Sequence, residues 1–211
     1  MWMDDQDLFL AEALCARLCH DLAGPVGAVG TGAELLADEG VDGAMAADAL
    51  DLLASSAACA VQRLRFLRLA LGPGTVPVAG AQLKELSAGF LATPGGAATT
   101  PRLDWQDAGA GPWEPGQAKL LLNMISLARD SLPRGGIIGL RGRGAAGPLI
   151  AVVAEGVGAT PGEAATALAQ TSAQGLGPRG AQAYYAACLA RRQKLVLSLH
   201  PAEGRVVFEA Q

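Results

Sequence analysis

The sequence predicts an α+β protein: an N-terminal antiparallel helical hairpin followed by an α/β sandwich. Three observations predict it. Apolar and small residues recur in alternating steps of three and four from Leu8 to Leu71, the spacing of long helices with one apolar seam. A Gly/Pro-rich stretch, Gly72 to Gly80, breaks that pattern. Beyond it, short apolar runs of strand length alternate with helical segments. With 211 residues, 51% of them hydrophobic, the chain is long enough for one large or two small domains. The expected division is a hairpin over 1–74, a linker over 75–80 and the sandwich over 81–211.

The first helix is expected from about Asp5 to Asp38, with a seam of Leu8, Ala11, Cys15, Leu18, Leu22, Pro25, Val29, Gly32 and Leu36. Aspartates and glycines in the stretch Asp38 to Gly43 should stop it. The second helix has the seam Leu50, Leu53, Ala57, Ala60, Leu64, Leu67 and Leu71, with Asp48, Asp51, Ser55 and Arg63 outside it. It should end at Gly72-Pro73-Gly74. One hairpin cannot bury both faces of such seams, so pairing with a second copy into a homodimeric four-helix bundle is expected. The alternative is packing on its own C-terminal domain.

In the second half, Ala81 to Leu91 carries helical spacing, with Pro94-Gly95-Gly96 as its stop, and Arg102 to Gln106 reads as a strand. Pro115 opens a helix over Ala118 to Leu132. Ile137 to Arg141 and Leu149 to Ala154 form an expected hairpin across a glycine-rich turn. A helix over Gly162 to Gln170, a Gly/Pro break at Gly175 to Gly180 and a helix over Ala181 to Arg192 follow. The end reads as strands Lys194 to Leu199 and Arg205 to Glu209, with His200 to Gly204 as the turn. His200, before a proline, is assigned no chemistry. The sheet should carry its helices on one face.

Composition narrows the function classes. A net charge of -4 leaves no basic footprint for nucleic acid. The acidic N-terminus lacks the layout of a signal peptide, and no apolar run is long enough to span a bilayer, so no membrane partner is expected and the chain should be cytoplasmic. Cys15, Cys19, Cys59 and Cys188 form no C-x-x-C pair. Cys15 and Cys19 lie one turn apart near His20, but too few further ligands accompany them for a metal site. They read as small buried hydrophobes, and no metal is assigned.

The chemistry concentrates at Leu18-Cys19-His20-Asp21-Leu22-Ala23-Gly24-Pro25-Val26. With Leu8, Cys15, Leu22, Val29 and Leu36 at heptad position a, His20 falls at f, opposite the seam, which argues for an accessible imidazole. Ala16, Arg17, Ala23, Gly24 and Gly27 share its face, and all but Arg17 are small, leaving room for a partner surface. Pro25 cannot donate to the carbonyl of Asp21 and crowds it, so the helix should bend there. Adjacent helical residues do not face each other, so the Asp21 carboxylate is expected not to hydrogen-bond the His20 ring and to meet an incoming partner instead. Arg17 is expected either to stabilise phosphate oxygens or a partner's acidic pocket, or to be a solvated helix charge. The bland alternative for His20 itself is a solvated surface residue.

The run His-acidic-Leu-x-x-Pro-Val resembles the H-box of sensor histidine kinases, and LCARLCHDLAGPVGAVGTGAELLADE resembles the ChpT family of bacterial histidine phosphotransferases. Leu103-Asp104-Trp105-Gln106 and the region Gly175 to Leu189 are also similar to that family. The C-terminal half is similar to a degenerate histidine-kinase ATP-binding domain. Asn123-Met124-Ile125-Ser126-Leu127-Ala128 and Pro133-Arg134-Gly135-Gly136 keep the frame of the kinase N-box, with Leu127 where the second, magnesium-holding asparagine stands. Ala154-Glu155-Gly156-Val157-Gly158 keeps the glycines of the adenine-reading motif, with Ala154 in place of its aspartate. Losing both ligands removes the charge-assisted contacts that hold a triphosphate.

The resemblance implies a phosphorelay intermediate without kinase activity. His20 would accept phosphate from an aspartyl phosphate on the receiver domain of a hybrid histidine kinase and pass it to response-regulator receiver domains. The expected nucleophile is Nε2 of a neutral imidazole. No cofactor of its own is implied, the Mg2+ being expected in the partner receiver. Two other classes stay open: a divergent sensor kinase, and a non-catalytic dimeric scaffold or inhibitor of two-component proteins.

Overall fold

A computed structural model describes residues 5–39, 45–93, 99–107, 111–142 and 150–211. Helix α1 (Asp5–Glu39) and helix α2 (Ala46–Leu71) pack along each other as the hairpin. Gly32 sets their close approach: a Cβ there would lie 3.1 Å from both the Ala49 carbonyl oxygen and Leu53 Cβ. Any larger residue would push the helices apart. The remaining elements, in order, are α3 (Gly80–Leu91), β1 (Arg102–Asp107), α4 (Pro115–Asp130), β2 (Ile137–Gly142), β3 (Ile150–Glu155), α5 (Ala164–Ala167), α6 (Pro178–Arg192), β4 (Leu197–Ala202) and β5 (Arg205–Ala210). The expected helix stops at 40–43 and 94–96, and the turn between β2 and β3, lie outside the described residues.

The sheet runs β1-β2-β3-β5-β4. β1 and β2 are parallel, joined through α4, while the other neighbours are antiparallel. Alternation of side chains gives it one apolar face. Ile138, Leu140, Val152, Ala154, Val206 and Phe208 point into the core beneath α3, α4 and α6, whereas Asp104, Arg141, Ser198, His200 and Glu209 lie on the other side.

The hairpin shares that core. Phe66, Leu67 and Ala70 of α2 are fully buried with it, and the Phe66 and Phe90 rings stack at 3.9 Å between centroids. The Arg129 guanidinium lies 4.7 Å above Phe90 on its own account, so α2, α3 and α4 are joined by one stack. The deepest face of the hairpin therefore matches the expected seam only at Pro25, Gly32 and Leu67. α1 buries Ala13, Arg17, Asp21, Pro25 and Gly32, and α2 buries Ala49, Ser56, Cys59, Arg63, Phe66, Leu67 and Ala70. The C-terminal elements α3, α4 and α6 cover this face, and they bring partners for charge that the periodicity alone had no means to place. Seam residues Leu8, Leu50 and Leu64 stay exposed; Leu18, Leu22, Val29, Leu53, Ala57 and Ala60 are half-buried.

Two boundaries differ from expectation. The helix expected over 162–170 is only one turn, α5, with just Ala164 and Ala167 buried, too little apolar surface to hold more. β4 starts and ends later than expected, so His200 and Pro201 belong to the strand and only Glu203-Gly204 forms the turn. Lys194, at φ 60, and the bond from Leu195 N to the Ala190 carbonyl close α6 and delay the strand. Pro201 is tolerated because β4 is an edge. Among the described residues no helix is long and apolar enough to cross a membrane.

Candidate functional site

His20 sits near the middle of α1, at the border between its buried and exposed faces. Its side chain is 69% exposed, while that of Asp21 is 4% exposed. The ring turns its Nδ1 toward Asp21 Oδ1, 3.4 Å away, and Nε2 makes no hydrogen bond among the described residues. The expectation that Asp21 would face a partner rather than the His20 ring is corrected: its carboxylate is buried, bordering the histidine on one side and Arg17 on the other. Ala16, Ala23, Gly24 and Gly27 are exposed around His20, and a Cβ on Gly24 or Gly27 would meet nothing within 4 Å. The surface beside the imidazole is open and nearly flat.

Arg17 is not a solvated charge and does not lie on that open face. At 2% exposure it donates Nη1 and Nη2 to Asp130 at 2.7 and 3.0 Å, and Nε to Asp21 Oδ2 at 3.0 Å. Burial disfavours its charge, but the hydrogen bond and field of Asp130, helped by Asp21, outweigh burial and raise its pKa. Asp130 ends α4, so one guanidinium ties the helix that carries His20 to the C-terminal domain. A planar fork with two usable edges suits this bridge as a lysine would not.

Pro25 is buried inside the unbroken α1. It has no N–H for the Asp21 carbonyl, which would otherwise be an orphan acceptor in the interior. Arg63 Nη1 supplies the missing donor at 2.7 Å. Arg63 was placed outside the α2 seam by its spacing; the structure buries it because α1 presents a carbonyl that needs it.

Below His20, α1 and the end of α4 enclose a cleft of about 280 Å3, lined among others by His20, Asp21, Thr93, Arg129, Asp130 and Arg179. Burial, and then the charge of Arg63, push the Arg129 pKa down. Arg63, Arg129, Asp130 and Arg179 are the residues the sequence reading missed. Only Arg63 left a signal, the orphan carbonyl four residues before Pro25.

The positions that the resemblance aligned with a nucleotide site are filled or tied. Asn123 is fully buried and spans helices, donating to the Ala70 and Lys119 carbonyls at 2.9 Å each and accepting from Gln182 at 3.4 Å. Leu127 and Ala154 lie in the core. Gly156 has room for no side chain, since a Cβ would stand 2.4 Å from the Gly135 carbonyl oxygen, and Gly158 turns at φ 73. A cleft of about 140 Å3 remains between α4, α5 and the start of α6. In it Glu163 Oε2 accepts from the Gly180 N–H at 2.9 Å. Cys15 and Cys19, expected to be buried, are exposed. Among the described residues no group of three or more His, Cys, Asp or Glu is placed to hold a metal.

Residues 83–205 match a family described as "Histidine phosphotransferase C-terminal domain". The protein phosphotransferase ChpT of Brucella abortus (strain 2308) is 32% identical over 219 residues, covering 97% of this chain and 96% of that protein. A solved structure described as "1.7 Angstrom Structure of a Bacterial Phosphotransferase" superposes with a TM-score of 0.78 at 27% identity, covering 100% of this chain and 98% of the other. A family domain filling more than half of the chain, in front of it a hairpin that presents His20, and a relative matched from end to end place the chain among the ChpT-type histidine phosphotransferases, protein phosphotransferases of two-component phosphorelays.

Proposed function

We propose that His20 is the phosphoacceptor, loaded from an aspartyl phosphate on the receiver domain of a hybrid histidine kinase and unloaded onto response-regulator receiver domains. The observation that carries this reading is the pairing of an exposed imidazole with a buried, immobile carboxylate at its Nδ1. In transfer the Nε2 lone pair attacks phosphorus in line, the P–N bond forms as the aspartyl P–O bond breaks, and the receiver carboxylate leaves. The ring becomes cationic as the bond forms, and Asp21 stabilises that charge at Nδ1. Return of the phosphoryl group to a second receiver reverses each step. The receiver supplies Mg2+, and the small residues around His20 let its active-site loops come close.

ATP takes no part in this reading, supported by the apolar Leu127 and Ala154 where a nucleotide would need polar ligands. The exposed Leu8, Val26, Leu50, Val61 and Leu64 along the hairpin support a homodimer that closes the seams into a four-helix bundle. The reaction belongs in the cytoplasm, where receivers are phosphorylated.

The test is a two-step label transfer, with labelled ATP alone and then with a labelled phosphoreceiver. Acid-labile phosphate appearing only in the second step, and absent in His20→Ala, is the expected result. Label from ATP alone would make the protein a kinase, and binding of receivers without label would make it a scaffold. Light scattering at micromolar concentration should give twice the 21.3 kDa chain mass; a monomer there would refute the bundle.

A further inference from the structure

We infer that the cleft beneath His20 is a berth for the phosphoryl group once it is on the ring, with Arg129 on its floor and Arg179 at its rim as the phosphate-binding residues. This rests on the reading of His20 as phosphoacceptor and goes beyond it, because it assigns the C-terminal domain a part in the chemistry.

The need for such a site follows from the relay. While a receiver is docked, its own cation neutralises the phosphoryl oxygens. Between two dockings the group, with nearly two negative charges, stays on the hairpin beside the Asp21 carboxylate. A site on this chain must offset that repulsion, or the intermediate sits in an unfavourable field and is lost to water.

The charges around the cleft are unevenly matched. Asp21 and Asp130 are the carboxylates that line it, and Arg17 engages both through all three of its nitrogens. Arg63 gives Nη1 to the Asp21 carbonyl and no hydrogen bond to a carboxylate, and its buried Nε is likewise without a partner, but it does not line the cleft. Arg129 and Arg179 are the guanidinium groups that do. Arg129 Nη1 is buried with no hydrogen-bond partner, a condition native structures rarely leave unused. Its guanidinium carbon lies over the Phe90 ring, 4.7 Å from the centroid, a cation–π contact that holds it in place before any ligand arrives. Burial and the charge of Arg63 lower its pKa, and the field of an arriving dianion would offset both. Arg179 is exposed and pairs with no carboxylate among the described residues. Two guanidinium groups facing one space suit tetrahedral phosphate oxygens. His20 itself lines the cleft, so rotation about its side-chain bonds can carry the group in for storage and out for transfer.

Phosphoramidate tests this without a receiver: its P–N bond breaks, ammonia leaves, and the phosphoryl group bonds to Nε2 of His20. After removal of the donor, the decay of phosphohistidine is followed together with its 31P resonance. Arg179→Ala, an exposed change that leaves the core untouched, should shorten the lifetime several-fold and shift the resonance. Arg179→Lys should restore most of the lifetime, and Arg129→Lys should shorten it. Unchanged lifetime and resonance in both Arg179→Ala and Arg129→Lys would overturn the berth while leaving His20 as phosphoacceptor. Failure of the wild-type protein to acquire label that His20→Ala abolishes would overturn the phosphoacceptor reading itself, and the berth with it.

Discussion

Two clefts meet at the end of α4 and share Asp130 and Arg179 in their walls. The one beneath His20 is built from charge. Arg17, Asp21, Arg63, Arg129 and Asp130 are all partly or wholly buried in or beside it; Arg63 ties α2 to α1, and Arg17 ties α1 to Asp130 of the C-terminal domain. The one beneath α5 is bordered by Leu127 and closed by Glu163 on a backbone amide. Polar groups are expensive to bury, and this protein concentrates that cost at the joint between its two halves. The difference teaches where chemistry resides. The C-terminal domain contributes Arg129, Asp130 and Arg179 to the surroundings of the helix that carries His20.

The largest effect should come from breaking the joint. Arg17→Ala leaves Asp130 and Asp21 without their shared partner, and should cost about 3–5 kcal/mol in urea denaturation. Arg17→Lys should recover little, because an ammonium cannot bridge both carboxylates. A loss below about 1 kcal/mol would mean that the network behaves as a solvated surface pair. Placing a charge in the apolar core should be costly for the converse reason. Ala154→Asp sets a carboxylate in the centre of the sheet between Ile138 and Val206, and should cost about 2–4 kcal/mol without any nucleotide-dependent rise in Tm. A gain in Tm with added nucleotide would show that a single ligand was missing from an otherwise working site.

Arg63→Met comes next. It fills similar space but leaves the Asp21 carbonyl without the donor that Pro25 withholds, at a cost of about 1–3 kcal/mol. The double variant with Pro25→Ala should recover part of that loss, since residue 25 could then donate within α1. Additive losses would show that the proline and the arginine are independent.

These residues also mark the limit of what the sequence reveals. The hairpin and the strands, apart from the bounds of β4, were legible, because local periodicity and Gly/Pro punctuation carry them. The exposure of His20 was legible because its spacing set it off the seam. The roles of Arg17 and Asp21 were not, because a charge on a helix reads as solvated until its partner is known, and Asp130 lies 113 residues from Arg17. The same absence of long-range information misplaced the buried face of the hairpin, which depends on what α3, α4 and α6 cover. At the C-terminus, one left-handed residue, Lys194, was enough to shift a strand by three positions.

The smallest expected effect lies in the second cleft and separates it from the first. Helix α6 begins with Gly177 as its N-cap, a residue with no side chain to hold the first amides, and with Pro178, which has no amide to hold. Glu163 takes the place of a capping side chain from outside the helix by accepting the Gly180 N–H. Glu163→Ala should therefore cost about 1 kcal/mol, and Glu163→Gln, which keeps an acceptor oxygen, less. Phosphohistidine lifetime should stay at the wild-type value in both. Arg179 sits one residue before Gly180, so a shortened lifetime in Glu163→Ala would reveal that the start of α6 couples the clefts, and that Glu163 holds Arg179 in register with the phosphate.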